Sequence, residues 1–148
     1  MNKSKKQSIM KTNKVYFEHA NITFSNLDKA IEFFQTAFPQ FKIRGEGVFN
    51  GRKWVHFGDN DFYLALNQAL RTEVEHPNNY NTKGINHLGF VVEDVKSLVE
   101  RLSNKGYKRS SDAELHPFRT REYFMDSDGN EFEFVEYHSD NAEERNQY

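Results

Sequence analysis

The strongest constraint in this sequence is that it states one plan twice. "VYFEHANITF", residues 15 to 24, is dense in β-branched and aromatic residues, has no glycine or proline, and reads as a strand. In "SNLDKAIEFFQTAFP", Leu27, Ala30, Ile31, Phe34 and Phe38 recur at spacings of three and four, the period of an amphipathic helix. Ser25 or Asn26 is placed to cap it and Pro39 to stop it. "FKIRGEG", "RKWVHFG" and "FYLALNQ" follow as short strands parted by Gly, Asn and Asp turns. The plan then restarts. "INHLGFVV" is a strand, and "EDVKSLVERLSNKG" is a helix with Val95, Leu98, Val99 and Leu102 on one face and Gly106 as its stop. "YKRSSD", "RTREYFMD" and "NEFEFVEY" close the second copy as strands. Laid on one another, His19 falls on His87, Ile22 on Phe90, Asn26 on Asp94, Leu27 on Val95, Ala30 on Leu98, Ile31 on Val99 and Phe34 on Leu102. This is an internal duplication, and it predicts an α+β fold of two tandem βαβββ modules.

Side-chain alternation along a strand then sorts the residues into faces. Ala20, Ile22 and Phe24 pack on the first helix, which turns Phe17, His19, Asn21 and Thr23 to the opposite, open face. In the repeat, Leu88, Phe90 and Val92 pack, and His87, Gly89 and Val91 face away. Phe132 and Phe134 pack on the last strand, so Glu131, Glu133, Val135 and Tyr137 share the open face with the histidines. Glu136 has the packing parity and reaches solvent at the strand's end. Leu64 and Leu66 pack, leaving Tyr63, Ala65 and Asn67 open; Arg121 and Tyr123 join them if Phe124 packs. Open faces turned towards each other make a curved, partly polar cavity, and polar groups in a cavity need partners: one another, a metal, water or a substrate.

Composition narrows what such a cavity can do. The 148 residues suit one domain, and 14 phenylalanines supply an aromatic core. A net charge of −2 offers no general field for nucleic acid, and no window is apolar enough to span a membrane. There is no cysteine, so thiolate chemistry is excluded, any metal must use His, carboxylate or water, and a reducing, cytoplasmic setting is expected. Residues 1–13, with lysines and no acid, read as a disordered tail without the apolar run of a signal peptide. One domain is expected over 14–138, with module 1 at about 14–68, a polar linker at about 69–83 and module 2 at about 84–138. Residues 139–148 read as an exposed polar tail or a short helix lying over the cleft or a partner. Glu131 reads as solvated or paired at the surface, His76 and His116 as loop residues, and His56 has no assigned face.

"HANITFSNLDKAIEFF", "GINHLGFVVEDVKSLVERL" and "DSDGNEFEFVEY" resemble the vicinal oxygen chelate superfamily of glyoxalases, bleomycin-resistance proteins, fosfomycin-resistance thiol transferases and extradiol dioxygenases. Ser127 stands where that pattern has proline, and the resemblance covers nearly all of Val15 to Tyr137. It implies paired modules forming a curved mixed sheet around a metal-binding cleft, with ligands on the first and fourth strand of each module. Those positions here are His19, Ala65, His87 and Glu133. Alanine cannot ligate, so the implied metal set is His19, His87 and Glu133, with Glu133 also the catalytic carboxylate. Two imidazoles and one carboxylate suit a divalent ion such as Mn, Fe, Ni, Co or Zn and leave positions open for neighbouring oxygens of a small anionic substrate. Asn21, Tyr63, Arg121 and Tyr123 are the candidate substrate contacts. The resemblance supports a lyase, isomerase or transferase. A metal-free sequestering protein, a fosfomycin-type transferase and a ring-cleaving dioxygenase stand as alternatives. The expected partners are a small molecule and a second copy of the chain. Modules exchanged in such a homodimer would supply His19 from one copy and His87 with Glu133 from the other.

Overall fold

The structure is a computed structural model that describes residues 17–72, 85, 87–112 and 115–147. The expected N-terminal tail and most of the expected linker lie outside the described residues. The first copy of the plan is β1 (His19–Phe24), α1 (Leu27–Ala37), β2 (Lys42–Phe49), β3 (Arg52–Gly58) and β4 (Tyr63–Gln68). The second is β5 (His87–Val91), α2 (Val95–Asn104), β6 (Arg109–Ser111), β7 (Arg119–Met125) and β8 (Glu131–Tyr137). A one-turn helix, α3 (Ala142–Arg145), follows. Each copy makes a four-stranded mixed sheet, ordered β1-β4-β3-β2 and β5-β8-β7-β6, with β1 parallel to β4 and β5 parallel to β8.

Local chemistry sets the helix ends. The Asn26 side chain accepts from the Lys29 amide at 3.0 Å, and Asp94 accepts from the Ser97 amide at 2.9 Å, each answering an amide that the first turn leaves without a partner. At the end of α2, Gly106 takes φ 87°, and the amides of Gly106 and Tyr107 return to the Ser103 and Leu102 carbonyls at 3.0 and 3.1 Å. The last strand of each module also caps that module's helix. Gln68 Oε1 accepts from the Leu27 amide, and Glu136 Oε2 from the Val95 amide, both at 2.9 Å. Glu136 therefore keeps the packing parity but spends its carboxylate on α2 rather than on solvent.

Both helices and the packing faces of both sheets share one core. Phe24, Leu64, Leu66, Phe132 and Phe134 are buried in it, as alternation requires. Helix α1 serves both modules: Phe33 and Phe34 lie 5.4 and 5.0 Å from the Phe132 ring, and Phe38 lies 5.0 Å from Phe90. Burying one such ring is worth roughly 1.5–3 kcal/mol, so this junction is strong. Polar ties flank it. Arg101 of α2 donates to the Thr36 and Ala37 carbonyls at 2.9 and 3.0 Å, and the Asp128 carboxylate accepts from the Ser25 amide at 2.7 Å and from its hydroxyl. The modules thus meet through their helix-bearing faces. Among the described residues, β1 and β5 each stand at a sheet edge.

Candidate functional site

On the open face of the second sheet, His87 sits between two carboxylates. Its Nε2 lies 3.1 Å from Glu133 Oε2 and its Nδ1 lies 3.6 Å from Glu131 Oε2. Strand register explains the grouping: His87 is opposite Glu131, Gly89 opposite Glu133, and Tyr123 opposite Glu133 from the other side. Gly89 lies beside Glu133, and a Cβ added there would make an ordinary contact with Glu133 Oε2 at 3.6 Å. Tyr123 is hydrogen-bonded to Glu133. Burial, first, and then that hydrogen bond and the carboxylate's charge push the phenol above the ordinary tyrosine value, so it stays a protonated donor at neutral pH. The Tyr123 ring meets His87 edge-on at 5.8 Å.

Glu131 departs from the expectation of a surface carboxylate. It is 8% exposed, and its Oε1 accepts from the Ser110 hydroxyl at 2.6 Å. Arg121 lies opposite Val135 on this same face, with its Nε buried. Arg119 donates through Nη1 to the Arg145 carbonyl at 3.0 Å, and Arg145 stacks over Tyr137 at 4.0 Å. These contacts draw the C-terminal turn onto one end of the second sheet.

The first sheet has the same frame with different contents. Asn21 and Ala65 pair as Gly89 and Glu133 do, and His19 pairs with Tyr63 as His87 does with Glu131. Ala65 is buried, and Asn21 accepts from Asn67 Nδ2 at 2.8 Å. His19 Nδ1 contacts Glu18 at 2.9 Å, and its ring stacks on Tyr63 at 4.8 Å and 14°. Tyr63 also carries the Arg44 guanidinium over its ring at 4.4 Å and meets His56 at 4.7 Å. Sequence alternation left His56 without a face; its pairing with Ala65 now puts it on the open one.

Of the expected metal set, then, the structure brings Glu133 and His87 together and leaves His19 on the other sheet. Among the described residues no three histidine or acidic groups are arranged so that they could hold a metal ion. His87 and Glu133 fit half of a divalent site, being one imidazole and one carboxylate in contact on an open face. His19, the second imidazole of the expected set, does not join them.

The family model of the Glyoxalase/Bleomycin resistance protein/Dioxygenase superfamily matches residues 16–134. The chain belongs to this superfamily. Solved structures of similar fold include a glyoxalase family protein from Bacillus cereus, with TM-score 0.71, 17% identity, and coverage of 88% of this chain and 99% of that one. The fosfomycin resistance protein FosX of Listeria monocytogenes, solved with Mn(II) and a dihydroxypropylphosphonic acid, matches with TM-score 0.65 and 17% identity over 89% of this chain and 98% of that one. The trypanothione-dependent glyoxalase I of Leishmania major matches with TM-score 0.66 and 21% identity over 83% and 87%. At these identities the superfamily fold is what is shared, since one fold hosts many reactions. No helix among the described residues is long and apolar enough to cross a membrane.

Proposed function

We propose that this glyoxalase-superfamily chain is a divalent-metal-dependent enzyme acting on a small, oxygen-rich anionic substrate. Its site is shared between two copies, with His87 and Glu133 from one and His19 from the other. The observation that carries this reading is the His87–Glu133 contact of 3.1 Å on an open sheet face, with His19 at the duplicate position of the other sheet. The edges that would meet are β1 and β5: Val91 at the end of β5 is 67% exposed, and Phe17 and Ile85, just ahead of β1 and β5, are 66% and 83% exposed. Sheet edges bearing apolar side chains call for a partner. A FosX relative that carries Mn(II) and a phosphonate supports the metal and the anionic substrate.

When bound, the ion would act as a Lewis acid on neighbouring substrate oxygens. The chain's own residues do the rest. The Tyr123 hydroxyl holds the Glu133 carboxylate in place, and Ser110 with His87 does the same for Glu131. Arg121, on the same face, supplies positive charge for an anionic group.

The test is metal content and Mn titration of the purified protein by calorimetry, beside its mass in solution. Saturable Mn binding by a dimer, lost in Glu133→Gln with the fold intact, is the expected result. If Mn, Fe, Ni, Co and Zn all fail to bind or to raise thermal stability, the enzyme reading fails and a metal-free sequestering protein replaces it.

A further inference from the structure

The open face of the first sheet carries a ladder of rings that lies outside the hydrophobic core. Trp54 lies 4.8 Å from His56, His56 lies 4.7 Å from Tyr63, and Tyr63 lies 4.8 Å from His19. Trp54 is the chain's one tryptophan, yet it is absent from the core cluster that takes the neighbouring Val55 and Phe57. It lies instead across β2, where Gly47 is its register partner. A Cβ built on Gly47 would stand 3.0–3.1 Å from three indole atoms, so any other residue there would press the ring aside by a few tenths of an ångström. Glycine inside a strand weakens it, and a close approach of this kind is what such a position serves. The indole remains half-exposed.

The surroundings say what the ladder is suited to. The open-face positions of β1, β3 and β4 hold His19, Asn21, Thr23, Trp54, His56, Tyr63, Ala65 and Asn67, with no carboxylate among them; the nearest acid is Glu18, 2.9 Å from His19 Nδ1 at the far end of the ladder from Trp54. Arg44 adds a fixed positive charge over Tyr63 at 4.4 Å. The equivalent rows of the second sheet place Glu131 and Glu133 where the first has Tyr63 and Ala65. A flat π system is attracted to such rings, and an anion is favoured by the guanidinium.

We propose that this ladder is an aryl subsite and that the substrate is an aromatic oxyacid. Its ring lies against Trp54 and His56, and its oxygens point towards His19. The assignment rests on the reading of His19 as the metal-facing end.

Phenylphosphonate and cyclohexylphosphonate, matched in size and charge, separate stacking from plain burial. Binding is followed by quenching of the single tryptophan and by calorimetry, with Mn titrated separately on the same preparations. Phenylphosphonate is expected to quench Trp54 and to bind about fivefold more tightly than the cyclohexyl compound, a ratio in the range of one aromatic pair. Trp54→Ala and Gly47→Val abolish the ratio, and Trp54→Phe retains it by calorimetry, with circular dichroism certifying the fold of each. Equal affinities in the unmodified protein, no saturable binding of either compound, or a ratio that survives Trp54→Ala overturns the subsite. If the ratio holds while Mn fails to bind, the metal-enzyme reading falls and the subsite stands. If Mn binds without the ratio, the subsite alone falls.

Discussion

A site shared between two copies makes a prediction that a site within one chain cannot imitate. Take two inactive variants, His19→Ala and Glu133→Gln. In the proposed homodimer each would destroy both sites of its own dimer, because each site would need His19 from one copy and Glu133 from the other. Unfold the two together and refold them. In a mixed dimer, one site receives both lesions and the other receives neither. Random pairing makes half of the dimers mixed, so the refolded sample should hold about a quarter of the wild-type sites. His87 supplies the control. It lies 3.1 Å from Glu133 on the same sheet, so both residues belong to one half of the site. Mixing His87→Ala with Glu133→Gln puts one lesion in each site of the mixed dimer and restores nothing. The assay is stoichiometric Mn binding by calorimetry, with native mass spectrometry counting mixed dimers. Mixed dimers that form but bind no Mn above the parental level refute the shared site, as does full Mn binding by a monomer.

Other expectations follow from the same geometry. Glu136→Ala should lower stability by about 1 kcal/mol in urea, the usual cost of a lost helix cap. Glu136→Gln should stay within about 0.5 kcal/mol of the parent, because Gln68 makes the equivalent bond to α1 with an amide oxygen. Arg101→Ala removes two charged donors from the end of α1 and should cost about 1–3 kcal/mol. Arg101→Lys should recover only part of this, because an ammonium lacks the fork that reaches the Thr36 and Ala37 carbonyls together. Tyr123 titrates above its ordinary value in the folded protein, so the unfolded chain releases that proton first. Folding stability should therefore fall as pH rises above about 10, the ordinary tyrosine value, and Tyr123→Phe should remove that part of the fall.

The two helices and eight strands were legible because their signals are local. The spacing of Leu27, Ala30 and Phe34 depends only on helical period, and the alternation of Glu131 to Glu136 depends only on strand period. What failed was whatever needed two strands at once. Glu131 read as exposed because its partner, Ser110, comes from the irregular β6, where the register with β7 shifts between Arg109 and Ser111. Trp54 drew no notice because its relation to Gly47 exists only once β2 and β3 are paired. A "GEG" run opposite a strand with one tryptophan was the available signal, and it becomes readable only with a register in hand. His56 was left unplaced for the same reason.

The duplication suits the proposed division of the site between two copies. Register makes Tyr63 the counterpart of Glu131, Ala65 of Glu133 and Asn21 of Gly89. Acids at these positions of both modules would put carboxylates from both sheets around each ion of the proposed symmetric dimer and make the site more negative. With a ring and alanine at the equivalent positions, the first module adds no carboxylate to Glu131 and Glu133, and Arg44 and the ladder of rings occupy that face instead. Adding an acid tests this division directly. Ala65→Glu introduces a carboxylate at a buried position, 4% exposed, beside Asn21 and His56. In the shared site it should raise Mn affinity and weaken binding of anionic ligands such as phenylphosphonate, since the added charge attracts the cation and repels the anion. If Ala65→Glu folds yet leaves both affinities unchanged, position 65 does not face the metal, and the pairing of the two sheets across copies is wrong.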